Sequence, residues 1–403
     1  MTGRKKTIIL MAIAVGIFCC LGLANFTASA ELDICVSLKL GDEVFLFREP
    51  DIVYAGDLTE EIAEKGIFDA KGRFFGFRAP IAKKYRLTDI DKKLAEINAL
   101  VLVEPKNASV KFNPANPKAS AITDDEDGVS LNLERIKREI EENLLAGKSY
   151  IAEVYPEPTK AALTRKDIEE SLNLCTKFST DISSSTENRK NNVRLALSKF
   201  SGKTFLKGEQ GSFNEIVGPR TEANGFRAAK VILDGEFVEG IGGGVCQAST
   251  TLYNALLLSG NKILEKHRHS LRVSYVPPSF DAMVSSSADM KFECEKKIMH
   301  IVTRTDGVRA TVEIYAKKDA VGITRKSVIL SEGEPPEPEV EVDTEGKYRD
   351  KIRYRDEKII VSPSKGELRS EGWLYYSDGR KVKIRTDVYK AQKGKVIVGA
   401  EER

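Results

Sequence analysis

The chain has 403 residues and a formal net charge of +3, from 63 Lys and Arg against 60 Asp and Glu. At about 150 residues per domain this length implies two or three domains, and the balanced charge offers no basic excess for nucleic acid. Six cysteines are too few for a disulfide scaffold, and the three histidines, His267, His269 and His300, leave a short list for any imidazole chemistry.

The chain opens with Arg4, Lys5 and Lys6 before an apolar run from Ile8 to Ala24, long enough to cross most of a bilayer. Ala28-Ser-Ala30 fits the small-x-small pattern of signal-peptidase cleavage. Residues 1–30 therefore read as a signal peptide or an uncleaved signal anchor. Either exports the remainder, and an uncleaved segment would hold it at the membrane.

Residues 31–170 read as an α+β region. Cys35–Leu40 and Glu43–Phe47 alternate like strands, and Ile90, Leu94 and Ile97 share one helical face. Ala99–Val103 reads as a strand and Val110–Phe112 as another. Thr123–Gly128 is an acidic turn without the spacing of a calcium loop. Leu133, Ile136, Ile140 and Leu144 line a second helix, stopped at Gly147, and Ile151–Tyr155 reads as a strand. A Ser/Thr-rich stretch at 179–186 leads into the segment richest in unusual local patterns. Residues 331–344 read as a stiff, solvated Pro/Glu linker, and 345–403 as a small β module. There Asp378-Gly379 is predicted to make a type I′ turn between Trp373–Tyr376 and Val382–Arg385. The fold class implied is multi-domain α+β, short helices on antiparallel sheet with an all-β C-terminal module.

Gly240-Ile-Gly-Gly-Gly-Val-Cys246 precedes a helical pattern closed at Gly260. Cys246 would sit in the first helical turn, where free N–H groups and the positive dipole end favour a thiolate. The amides of Gly243, Gly244 and Cys246 could bind an oxyanion. An inert buried thiol, a phosphate cradle and a disulfide with Cys35, Cys175 or Cys294 are the alternatives. Leu271–Val276 alternates like a strand, and His267 and His269 would share one strand face. Either could serve as base for the thiol, with Asp281 as the nearest downstream carboxylate to orient it. Zinc held by Cys246, His267 and His269 is the competing arrangement. His300 reads as a lone surface histidine. Ser212, Asn214 and Arg220, set among turns, could hold a peptide carbonyl or carboxylate, or simply cap a structural turn.

These stretches closely resemble the VanW family. The resemblance runs through Phe178-Ser-Thr, Asn188-Arg189, Asn191-Asn192-Val193 and Gly208-Glu-Gln-Gly-Ser-Phe-Asn-Glu-Ile-Val-Gly-Pro-Arg-Thr221. It continues through Gly225-Phe226, Gly242-Gly-Gly-Val-Cys-Gln-Ala-Ser-Thr-Thr-Leu-Tyr-Asn-Ala255, His269-Ser270, Tyr275-Val-Pro-Pro, Asp281-Ala282 and Lys291-Phe292. It spans roughly 175–304. Lys207 stands where the family commonly has Pro, and Glu293-Cys294 where it commonly has Asn. Residues from about 55 to 170 resemble the peptidoglycan-binding module that often precedes this domain. The tail resembles a degenerate glycine-containing module of cell-surface proteins.

The resemblance implies a cysteine L,D-transpeptidase acting outside the cytoplasm, in the cell envelope, without cofactor or metal. Its partners would be peptidoglycan stem peptides and the cell wall, not nucleic acid. Cys246 would attack the donor stem after its third residue, release the terminal D-Ala and hold an acyl-thioester for an acceptor amine. His269 would be the base, Asp281 its orienter and His267 the alternative base. Gln247 and Tyr275 join Arg220, Asn214 and Ser212 as candidates for substrate contact. The competing functions are a non-catalytic peptidoglycan-binding accessory protein, linked to the envelope or to glycopeptide resistance, and a cysteine peptidase with water as acceptor.

Overall fold

A computed structural model describes residues 34–57, 67–68, 74–75, 83–233 and 236–402. The leader expected at 1–30 lies outside the described residues, as does part of the region resembling a peptidoglycan-binding module. Among the described residues no helix is long and apolar enough to cross a membrane. Two compact units are formed, one from residues up to Leu102 with Ser130–Glu157, the other from Val103–Val129 with Pro158–Arg403.

In the first unit the strand Val36–Leu40 pairs antiparallel with Glu43–Phe47 and parallel with Tyr150–Glu153. The helices Ile90–Ala99 and Leu133–Leu145 bury Leu94, Ile97, Ile136, Ile140 and Leu144 with Val36 and Leu38, the core that their spacing predicts. Asn132 caps the second helix through Arg135 N–H, and Gly147 leaves it with a φ of 70°. The strand expected at Ala99–Val103 does not form. The helix runs through Ala99, Leu100 is 58% exposed, and Val103 makes a single bridge to Val129. The run is apolar, but it is a helix end rather than a sheet member.

The second unit is built on an antiparallel sheet in the order Leu174–Asp181, Arg309–Ala316, Ile298–Thr305, Thr204–Leu206. The helices Glu187–Ser198 and Val245–Leu258 pack on it and on each other. Ser179–Asp181 ends the first strand, and Thr186 caps the Glu187–Ser198 helix by accepting from Arg189 N–H. The Val245–Leu258 helix is buried on nearly all sides, as expected for a core helix that is not amphipathic. Its polar residues are therefore committed inward. Asn254 donates to the carbonyl of Phe280 at 2.8 Å, and Thr250 Oγ1 accepts from Ala282 N–H at 2.9 Å. Those two bonds flank Asp281 and fix its backbone against the helix.

The strand expected at Leu271–Val276 is absent; this stretch is irregular. Its carbonyl at Ser270 accepts from Lys390 N–H, and Ser279 downstream adopts a φ of 67°. Pro277-Pro278 and that left-handed turn divert the chain before any ladder can form. His300, expected at the surface, is fully buried in the sheet, stacked on Phe112 with ring centroids 4.2 Å apart. Its ring nitrogens meet Ser171 and Thr204 hydroxyls at 3.0 and 2.8 Å.

The tail holds two three-stranded sheets. One orders Ile323–Glu332, Leu368–Tyr376 and Lys381–Tyr389; the other Glu339–Val342, Lys395–Val398 and Lys358–Ser362. The Pro/Glu stretch expected at 331–344 to separate the tail instead lies inside it. Ile323–Glu332, on its N-terminal side, pairs with Leu368–Tyr376 beyond it. The hairpin at Asp378-Gly379 forms, but not as type I′. Positive φ is confined to Gly379, at 92°, and Gly379 N–H bonds back to Tyr376 carbonyl, the three-residue loop in which a type I turn is followed by a left-handed glycine.

Candidate active site

Cys246 is the second residue of the Val245–Leu258 helix, and Gly244 is its N-cap with a φ of 107°. Three glycines are required here for different reasons. Gly242 and Gly244 take left-handed φ values. A Cβ on Gly243 would lie 2.6 Å from the Ala229 carbonyl oxygen and 2.7 Å from that of Lys230. Asn192, buried, donates to the carbonyls of Gly243 and Arg227 and accepts from Arg227 N–H, so the glycine turn is tied to the neighbouring helix. The amides of Gly243, Gly244 and Cys246 meet no acceptor among the described residues.

The half-buried Cys246 Sγ lies 3.3 Å from the Val284 carbonyl, and His269 stands close enough to act on its thiol. His269 is 6% exposed; its Nδ1 and its backbone N–H both reach Asp281 Oδ2 at 2.7 Å. This leaves Nε2 for the thiol. Asp281 is fully buried, and its other oxygen accepts from Tyr389 at 2.6 Å. Cys246, His269 and Asp281, distant in sequence, are thus brought together in one row.

Electrostatics follow the row. Burial pushes the Cys246 thiol up, but the His269 bond and charge, the Val284 contact and the Arg220 charge outweigh it and hold the thiol below its ordinary range. Burial would depress His269, yet Asp281 and Cys246 raise it to about 9. Asp281 is held well below the usual carboxylate range, against its burial, by His269, Lys266 and Tyr389. Depressed thiol and raised imidazole together favour a thiolate–imidazolium pair near neutral pH.

The other expected residues divide. His267 turns away: its Nε2 meets Glu265 at 2.9 Å. The two histidines therefore do not converge on one ligand, and a zinc set with Cys246 is not assembled. Arg220 donates to the same Val284 carbonyl that Cys246 contacts, and to Asn214. Burial, with the nearby Cys246 charge, pushes the Tyr275 phenol up. Ser212, Asn214 and Gln247 have their polar groups engaged within the fold. Ser212 caps a short helix and reaches Asp289 at 2.5 Å. Asn214 holds the carbonyls of Ser285 and Ala288, and Gln247 links Arg189 to the Asp181 carbonyl. All four described cysteines, Cys35, Cys175, Cys246 and Cys294, are free. Sequence reasoning missed Tyr389 and Lys266; Asn192 carried a signal only as part of the family resemblance.

Comparison with known proteins bears on the same segment. Residues 188–315 match the family model described as "VanW like protein". The chain carries a VanW-like domain. Cys246, His269 and Asp281 fall within it, and Tyr389 does not. Residues 66–152 match the model described as "Putative peptidoglycan binding domain". The uncharacterized protein YoaR of Bacillus subtilis (strain 168) is 38% identical over 117 residues, 29% of this chain and 39% of that protein's length. A crystal structure of HP0197-G5 aligns over 20% of this chain and all of its own, at 12% identity and a TM-score of 0.10, too low to carry an argument. The VanW-like and peptidoglycan-binding matches together point to a cell-wall-associated role and an extracytoplasmic place in the cell envelope.

Proposed function

We propose that the VanW-like domain is a cysteine acyltransferase that cross-links peptidoglycan stem peptides as an L,D-transpeptidase. The observation that carries this is the 2.7 Å contact from His269 Nδ1 to the buried Asp281, with the Cys246 thiol close enough to help raise the imidazole. A nucleophile, a base and an orienting carboxylate in one row is the arrangement that activates a thiol for attack on an amide. The peptidoglycan-binding match at residues 66–152 supports a cell-wall substrate.

In this mechanism the Cys246 thiolate attacks the carbonyl of the donor's third residue. The oxyanion that develops is received by the amides of Gly243, Gly244 and Cys246. As the C–N bond breaks, His269 gives its proton to the departing D-Ala amine, leaving an acyl-thioester and a neutral imidazole. The acceptor amine then attacks, His269 takes the proton it loses, and the thiolate departs from the new amide. Asp281 stays ionised throughout and holds the imidazole with Nε2 toward sulfur.

The test is a reaction of purified protein with a stem tetrapeptide donor and an acceptor muropeptide, read by product mass. Cross-linked dimer from the parent and none from Cys246→Ala is the expected result. Equal cross-linking by both defeats the proposal. Binding by both with cross-linking by neither would make the domain a wall-binding module, and trimmed monomer alone would make it a peptidase.

A further inference from the structure

Beside His269 lies a cleft of about 480 Å³ whose walls include Lys266, Arg268, Arg385 and Lys390. Two of these cations come from the histidine loop and two from the tail strand Lys381–Tyr389 and the residue after it. The acids near them are Asp281 and Asp387, and Asp387 Oδ2 is itself buried without a hydrogen-bond partner among the described residues. Asp387 pairs with Arg385 at 2.5 Å, and Asp281 holds His269 and Tyr389. Lys266 Nζ stands 4.0 Å from Asp281 and 3.9 Å from Asp387, with its side chain 5% exposed. At those distances neither carboxylate accepts a hydrogen bond from it. Lys266 Nζ and Arg385 Nε are both buried without a hydrogen-bond partner among the described residues. Arg268 donates one bond to the His269 carbonyl, and its other N–H groups remain.

The four cations of the cleft outnumber those two acids, and an anion with two or more acceptor oxygens would balance the excess charge and meet Arg268 and Lys390 from the cleft side. A carboxylate supplies these and cancels charge in the same contact.

We propose that this cleft is a subsite for the C-terminal carboxylate of the donor peptide. The choice among anions rests on the acyltransfer reading. There His269 delivers its proton to the departing amine, and the departing amino acid carries a carboxylate one carbon from that nitrogen. A carboxylate in the cleft beside His269 sets that amine at the imidazole. It also lets the tail select donors with a free carboxyl terminus over longer or amidated ones.

The test uses full-length Cys246→Ala protein, which cannot turn over, and calorimetric binding of a stem tetrapeptide with a free C-terminal carboxylate against its C-terminal amide. The acid is expected to bind roughly tenfold tighter or more, the equivalent of one charge-assisted contact. Adding Arg268→Gln and Lys390→Gln, both at solvent-accessible positions, is expected to bring the two affinities together while leaving the amide's unchanged. Equal binding of acid and amide overturns the proposal, as does a preference that survives both substitutions or failure of both peptides to bind. Cross-linking by the parent is scored separately. Acid preference without turnover retains the cleft and discards the chemistry, and turnover without preference does the reverse.

Discussion

Tyr389 donates its hydroxyl hydrogen to Oδ1 of Asp281 at 2.6 Å, while Oδ2 of the same carboxylate holds His269 at 2.7 Å. The tyrosine also accepts from Ser279 N–H at 2.7 Å, inside the left-handed turn that precedes Asp281. One tail residue therefore secures both the carboxylate and the bend that presents it. Tyr389→Phe removes the donor and leaves a buried carboxylate oxygen and a buried amide short of partners. The expected loss is about 1–3 kcal/mol, read from the denaturant midpoint at neutral pH. A fall in kcat with little change in KM would mark misplacement of the imidazole rather than loss of substrate contact. Unchanged stability and turnover would make the contact incidental.

Cys246 is expected to alkylate with iodoacetamide down to a pH below that of an ordinary thiol, about 8.5. His269→Ala removes the partner that offsets burial, so the alkylation midpoint of the Cys246 peptide should move upward, past the ordinary value. Peptide mass spectrometry separates this thiol from Cys35, Cys175 and Cys294. A midpoint that does not move would remove His269 from the role of base. Turnover in the same variant should drop by about 10²–10⁴-fold, the usual scale for a lost acid–base group.

His300 gives a stability signature away from the site. Burial lowers it from 6.5 to about 4, so the folded state keeps the ring neutral where the unfolded chain protonates. Its contribution is fully present above about pH 6.5 and is lost as pH falls toward 4. The loss over that window is on the order of 3 kcal/mol. Unfolding free energies at pH 7 and pH 4.5 should differ by much of this in the parent and by less in His300→Gln.

Gly243→Ala should destabilise the fold by more than about 2 kcal/mol, because its Cβ meets fixed backbone at 2.6–2.7 Å. Gly208→Ala is the control. Gly208 has a φ of 84° but nothing within 4 Å, so only the left-handed penalty of about 1–2 kcal/mol applies. Thermal midpoints that rank the two variants the other way would contradict the close approach at Gly243.

Much of the site was legible from local pattern. Glycines before a cysteine at a helix start predicted both the turn and the position of Cys246, and the helical faces at 90–97 and 133–144 predicted the core of the first unit. The errors share a cause. Leu271–Val276 alternates as a strand should, but Asn254 and Thr250 pin the segment after it to a helix, and Ser270 pairs with Lys390 instead of a sheet neighbour. Alternation reports a half-buried face, not a ladder partner. The Pro/Glu stretch has the composition of a spacer, yet its flanking strands belong to joined parts of one tail. His300 carries no local mark of burial, because Phe112, Ser171 and Thr204 arrive from three other segments. Tyr389 could not be foreseen from sequence: its partner lies 108 residues away in a region with no shared motif.

That separation has a consequence for what completes the site. In chain order Cys246, His269 and Asp281 all precede the strands Leu368–Tyr376 and Lys381–Tyr389. Without those strands, Asp281 has only one of its two oxygens held by His269, the Ser279 turn has no anchor, and the basic cleft lacks half its wall. The row of three residues lies within the VanW-like match, but its alignment depends on the strand that carries Tyr389. The most C-terminal strand of that sheet therefore closes the support of a carboxylate that precedes Tyr389 by 108 residues.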